Sequence, residues 1–128
     1  MKLLLDTHTF IWWDSDPAKL PAQVTALCQD PANTLLLSVA SAWEMQIKLQ
    51  LGKLTLKLPL ATVIEGQRQA NRIKILPVTL SHVLALQNLP TPHKDPFDRL
   101  LVAQANVEGA TLISGDPVFA EYPVTALW

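Results

Sequence analysis

Apolar residues along this chain fall into short runs separated by longer stretches with helical spacing. Lys2 to Leu5 is a short apolar run ending at Asp6, the pattern of a buried strand whose C-terminal end meets a polar site. Thr7 to Trp13 reads as a short helix in which Phe10, Ile11, Trp12 and Trp13 present a large apolar surface. Loop chemistry around Pro17 and Pro21 leads to a helix over Ala22–Gln29 with Val24, Leu27 and Cys28 inward, stopped by Asp30-Pro31. Thr34–Leu37 predicts a second strand and Ser38–Leu51 a helix with Gly52 as its exit. On that helix Trp43, Ile47 and Leu51 mark one face, with Glu44 on its flank. Lys53–Leu58 alternates like an edge strand or runs as an extended loop. Pro59 opens a helix to about Asn71, Ile73–Leu76 is a third strand, and Thr79–Leu86 is a short helix capped by Thr79 or Ser81. Ala110–Ser114, a short helix over Pro117–Tyr122 and a strand over Val124–Leu127 complete the pattern. Strands alternating with helices predict an α/β fold with a mostly parallel sheet covered on both faces.

The stretch from Asp95 to Asp116 is the most informative. It starts with acids at Asp95 and Asp98, continues as an apolar helix to about Val107, leaves through Gly109, and ends in a strand with an acid just beyond it. In parallel sheets ligands collect at the carboxyl ends of the strands, near the reversal of strand order. Asp6 and Asp116 both follow strands, so both are expected on that edge.

Composition narrows the class. At 128 residues, 49% apolar and 16% charged, the sequence predicts one globular domain with a sizeable core. Lone Cys28 excludes an intrachain disulfide and fits a reducing, cytoplasmic setting. Asp6 and His8 interrupt the opening apolar run, so it does not read as a signal peptide, and no segment is long enough to span a bilayer. A formal net charge of −1 excludes grip on nucleic acid through an overall positive field. RNA would have to be held by a local basic rim and bound cations.

Each acid has an ordinary structural account. Asp95-Pro96 and Asp116-Pro117 match helix N-caps followed by proline, and Asp98 falls in a first helical turn. Asp6 can cap the following helix. Ser41 to Glu44 matches a capping box, and Glu44 with Lys48 is a favourable i, i+4 pair. Jointly, however, Asp6, Glu44, Asp98 and Asp116 at one end of one sheet would repel one another, and burial without a counter-ion would cost stability. A bound cation resolves this. With no cysteine pair and with His8, His82 and His93 scattered, zinc is disfavoured, and an all-oxygen site suits Mg2+ or Mn2+. Such an ion neutralises phosphate charge and activates water. Asp6, Asp98 and Asp116 are assigned to the metal, and Glu44 orients the water or serves a second, weaker metal position. Ser114 bonds a metal-bound water, Asp6 or the backbone, and Thr7 has the same ambiguity, whereas His8 reads as a solvated helix residue. Of the basic residues, Lys48, Lys94 and Arg99 are the candidates for substrate contact; Arg99 could instead pair with a carboxylate.

LLLDTH at the start, SAWEMQIKLQLGKL in the middle, HKDPFDRLLVAQA and SGDPVFAEYPV resemble PIN-domain proteins, specifically VapC-type toxins of bacterial toxin-antitoxin pairs. The likeness covers nearly the whole chain in order. It implies a three-layer α/β/α sandwich and Mg2+- or Mn2+-dependent endoribonuclease activity, with the acidic quartet on Asp6, Glu44, Asp98 and Asp116. Asp95 matches a recurrent acid of the subgroup, but the helix register makes Asp98 the better ligand. Ser114 stands where many relatives carry threonine. The resemblance also implies a homodimer silenced by a cognate antitoxin. The Phe10, Trp12 and Trp13 cluster is then either shared contact surface or ordinary core. From a different class, the alternative is a PIN-like interaction protein that binds an antitoxin or RNA without cutting.

Overall fold

The computed structural model describes residues 1–128. Five strands, β1 (Lys2–Leu5), β2 (Thr34–Ser38), β3 (Lys74–Leu76), β4 (Thr111–Ile113) and β5 (Ala126–Leu127), form one sheet in the order β3-β2-β1-β4-β5. Every neighbouring pair is parallel. Six helices surround it: α1 (Thr7–Ser15), α2 (Ala22–Gln29), α3 (Val39–Gln50), α4 (Leu60–Asn71), α5 (Leu80–Ala85) and α6 (Pro96–Glu108). Short 3-10 turns occupy Pro17–Lys19, Leu86–Asn88 and Pro117–Glu121.

The central strand explains the layering. Leu3, Leu4 and Leu5 are all inaccessible to solvent, and alternate side chains of a strand point to opposite faces. Leu3 and Leu5 join Leu35, Leu37, Phe10, Val24, Met45 and Val63 in one core cluster. Leu4 joins Leu36, Leu112, Leu101, Val102, Ala105 and Phe119 in the other. The result is the three-layer α/β/α sandwich expected from the resemblance. Burying each leucine of this strand stabilises the fold by roughly 1.5–3 kcal/mol. Cys28 belongs to the first cluster, and burial pushes its thiol up to about 11, so it stays protonated and behaves as a small apolar residue.

Chain order fixes where the sheet opens. From β1 the chain steps outward to β2 and β3, then crosses back to β4 on the other side of β1 and on to β5. Strand order therefore reverses between β1 and β4, with Leu5 paired to Ile113 at their carboxyl ends.

Several local expectations change. The Ser41–Glu44 capping box does not form. Strand β2 runs straight into α3, whose cap is Ser38, its Oγ accepting from the Ala40 N–H at 3.0 Å. The face carrying Trp43 and Leu51 points outward, and Ser41, Glu44 and Met45 turn inward instead. Starting the helix at Val39 leaves the small Ala40 and Ser41 to approach the sheet, which rotates Trp43 to 63% exposure. Lys53–Leu58 makes no strand. The Lys53 and Leu54 amides wrap onto the Lys48 carbonyl at the end of α3, while Leu54 and Leu56 pack on the core. The segment at Pro117–Tyr122 is a 3-10 turn rather than an α-helix. Thr79, not Ser81, caps α5, in a box whose other half is His82. Because the Thr79 N–H donates to Nδ1 of His82 at 3.0 Å, Nε2 carries the proton and donates to Glu108 at 2.9 Å, tying α5 to the end of α6.

Candidate active site

The carboxyl edge at the reversal point is built from helix caps. Asp6 directly follows β1, is 6% exposed, and caps α1 by accepting from the Thr9 N–H at 2.7 Å. The Thr9 hydroxyl in turn donates to the Ile113 carbonyl at 3.0 Å, fastening the start of α1 to β4. Ser114 follows β4. Its hydroxyl donates to Asp6 Oδ2 and accepts from the Asp116 N–H at 3.1 Å. One buried serine thus links the acid after the first strand to the acid after the fourth. Asp116 caps the Pro117–Glu121 turn through the Val118 N–H at 3.0 Å.

Glu44 arrives from α3. It is 9% exposed, and its Oε1 accepts from the Thr7 hydroxyl at 2.6 Å, next in sequence to Asp6. Oε2 faces Lys48 Nζ at 3.2 Å, one helical turn on. Asp98 arrives from the first turn of α6, whose cap is Asp95, accepting from the Phe97 and Asp98 amides at 2.9 and 3.0 Å. Helices α3 and α6 touch through an edge-on pair of Trp43 and Phe97, with ring centroids 5.3 Å apart. This contact brings Glu44 and Asp98 into each other's field. Burial pushes the Asp98 carboxyl above its ordinary range, a hydrogen bond from His93 opposes that shift, and the like charges of Asp95 and Glu44 add to it.

A directed relay holds Asp98. The Arg99 guanidinium donates to the Pro90 carbonyl at 2.6 Å and to the Tyr122 hydroxyl at 3.2 Å. Tyr122 lies 2.7 Å from His93 Nδ1, and His93 Nε2 lies 3.0 Å from Asp98 Oδ2. Ionised Asp98 can only accept, so Nε2 donates to it, and Nδ1 shares a hydrogen bond with the Tyr122 hydroxyl. Arg99 therefore fastens the 89–95 loop and Tyr122, and Lys94 is exposed on that same loop. Lys48 stands against Glu44.

In the sequence His93 is one of three scattered histidines, and nothing local marks Tyr122. The five-residue step from His93 to Asp98, across a proline that opens a helix, was the available signal for the first. Tyr122 had none, because its partner lies 29 positions away. Trp12 and Trp13 are half-buried against the first core cluster while Phe10 lies fully within it. His8 is exposed, as expected of a solvated helix residue.

The donor set is all carboxylate oxygen, with a hydroxyl at Ser114 and another at Thr7, which fits a hard divalent cation. No three acids or histidines are drawn together tightly enough to chelate an ion by themselves. Each acid has its own brace instead: Ser114 and the Thr9 amide for Asp6, Thr7 and Lys48 for Glu44, His93 for Asp98, the Val118 amide for Asp116. A spread set of this kind suits Mg2+ or Mn2+, which take one or two carboxylates directly and keep water in their other positions.

A family model described as the PIN domain matches residues 3–124, nearly the whole chain. The chain belongs to the PIN domain family. No curated protein matches it in sequence. Two solved structures share the PIN fold seen here. VapBC2 from Rickettsia felis, bound to a DNA fragment from its promoter, superposes with a TM-score of 0.74 at 18% identity, over 99% of this chain and 98% of that one. VapBC-1 from nontypeable Haemophilus influenzae gives 0.65 at 17% identity, over 99% and 97% of the two chains. At such identities the likeness is one of fold. No helix of this PIN domain is long and apolar enough to cross a membrane.

Proposed function

We propose that this protein is a Mg2+- or Mn2+-dependent endoribonuclease, and that it serves as the toxin of a toxin-antitoxin pair. What supports this reading is a chain of links at the carboxyl edge of a PIN fold, where strand order reverses: Ser114 joins Asp6 to Asp116, Thr7 next to Asp6 holds Glu44, and the α3–α6 contact sets Asp98 in the field of Glu44. Asp6, Asp98 and Asp116 would hold the metal. When bound, it would supply charge neutralisation at the phosphate and an activated water for in-line attack. Glu44 would orient that water, with Thr7 holding its Oε1 and Lys48 facing its Oε2. His93 keeps Asp98 aimed, and of the three basic candidates exposed Lys94 is the one left for substrate contact, since Lys48 faces Glu44 and Arg99 bonds Pro90 and Tyr122. The toxin role and the antitoxin partner rest on the sequence resemblance to VapC-type toxins, and both solved neighbours named above are VapBC proteins.

Replacing Asp6 or Asp98 with Asn is expected to lower RNA cleavage by at least two orders of magnitude and to relieve growth inhibition, with circular dichroism unchanged. Full activity in both variants would end the reading. One observation favours the non-cleaving alternative: Lys48 and His93 oppose the charges of Glu44 and Asp98. An assay with Mg2+, Mn2+ and excess chelator separates the two, because a pure binding module gives no metal-dependent product.

A further inference from the structure

The acidic edge does not end at the carboxylates. Asp6 and Asp116 form one side of a cleft of about 430 Å³ whose remaining walls are His8, Thr9, Trp12, Gly115 and Trp128. Trp12 and Trp128 lie with ring centroids 5.9 Å apart and planes tilted by 50°, and both present surface to the cleft. His8 continues the aromatic line, 6.0 Å from Trp12 and exposed at the rim. Trp128 is seated deliberately. A Cβ built on Gly115 would come within 2.7 Å of its indole, so only glycine between Ser114 and Asp116 lets the ring lie against that turn. The Gln23 side chain anchors the Trp128 carbonyl from α2.

Charge alone does not explain how an RNA strand would be held here. The net charge is −1, Arg99 is spent on Pro90 and Tyr122, and Lys48 faces Glu44. Aromatic faces add stacking of unpaired bases to whatever charge supplies. We propose that this cleft is a nucleobase subsite, in which a base adjoining the scissile phosphate of single-stranded RNA stacks on Trp12 and Trp128 while the phosphate lies over Asp6 and Asp116. The proposal rests on the nuclease reading above for the position of the phosphate.

The test uses binding, so that it does not depend on cleavage. Fluorescence anisotropy measures the affinity of the full chain carrying Asp98→Asn, with Mg2+ present, for hexaadenylate and for an abasic ribose-phosphate hexamer. Loss of the bases is expected to weaken binding about ten-fold, as stacking of a single base does. Adding Trp12→Leu should cost a similar factor on hexaadenylate and nothing further on the abasic hexamer, whereas Trp12→Phe, which keeps an aromatic face, should retain most of the affinity. Gly115→Ala, by displacing Trp128, should weaken hexaadenylate binding without moving the abasic value. Equal affinity for the two hexamers, a result that needs no Trp12 variant, overturns the subsite. So does a Trp12→Leu loss that is the same on both. Cleavage by the unsubstituted chain is measured separately: its absence would remove the nuclease reading, while the comparison of hexamers would still decide the stacking site.

Discussion

Asp98 holds a carboxylate whose charge works against the fold. Burial and the neighbouring charges of Asp95 and Glu44 raise its pKa in the folded state above that of the unfolded chain. The folded protein therefore holds that proton more tightly, and stability falls as pH rises from the unfolded value through the folded one. At neutral pH the ionised carboxylate is a net cost to the fold. Asp98→Asn keeps an oxygen to accept from His93 Nε2 and removes the charge. The variant is expected to melt at a higher temperature than the parent at pH 7 without metal, and the difference should shrink toward zero below the ordinary carboxylate range. Thermal denaturation followed by circular dichroism across pH measures both. A variant melting below the parent at pH 7 would show that the carboxylate is not under the strain described.

At the scale of elements, the site is made from helix starts. Asp6, Ser38, Asp95 and Asp116 cap α1, α3, α6 and the Pro117–Glu121 turn, so the side chains that begin these elements gather on one edge of the sheet. Two of these caps are also candidate ligands, whereas Ser38 and Asp95 orient the helices that deliver Glu44 and Asp98. Separating the two kinds of role is straightforward with Ser38, which touches neither acid. Ser38→Ala should destabilise the protein by about 1 kcal/mol, the usual loss for a helix cap. Urea unfolding measures it, and an unchanged midpoint would mean that α3 is set by its packing alone.

For the whole molecule, the acids come from four separated parts of the chain, so a cation bound between them would link β1, α3, α6 and the turn after β4. Binding to the folded state alone raises stability by RT ln(1 + [L]/Kd), about 2.7 kcal/mol at a hundred-fold excess over Kd. Mn2+ is therefore expected to raise the melting temperature of the parent, chelator to reverse the rise, and Asp6→Asn to abolish most of it. A melting temperature indifferent to Mn2+ in the parent would count against a metal shared by these elements.

Much of this architecture is visible in local pattern. Unbroken apolar runs such as Leu3–Leu5 report burial on both faces, and Asp-Pro pairs at 95–96 and 116–117 report where helices and turns begin, because these signals depend on a few adjacent residues. Asp6, Glu44, Asp98 and Asp116 could be nominated on the same grounds. The rotation of α3 could not. Trp43, Ile47 and Leu51 have the spacing of a core face, yet Glu44 and Met45 turn inward, since the strand feeding directly into the helix sets its phase. Nor could the braces be read: Ser114 to Asp6, Thr7 to Glu44, and the line from Arg99 through Tyr122 and His93 to Asp98. The sequence by itself determined which segments become strands and helices and which acids stand at their ends, because those choices are local. Only the tertiary structure decided what holds each acid, and that two tryptophans far apart in the chain wall the same cleft, because those depend on strand order and helix phase.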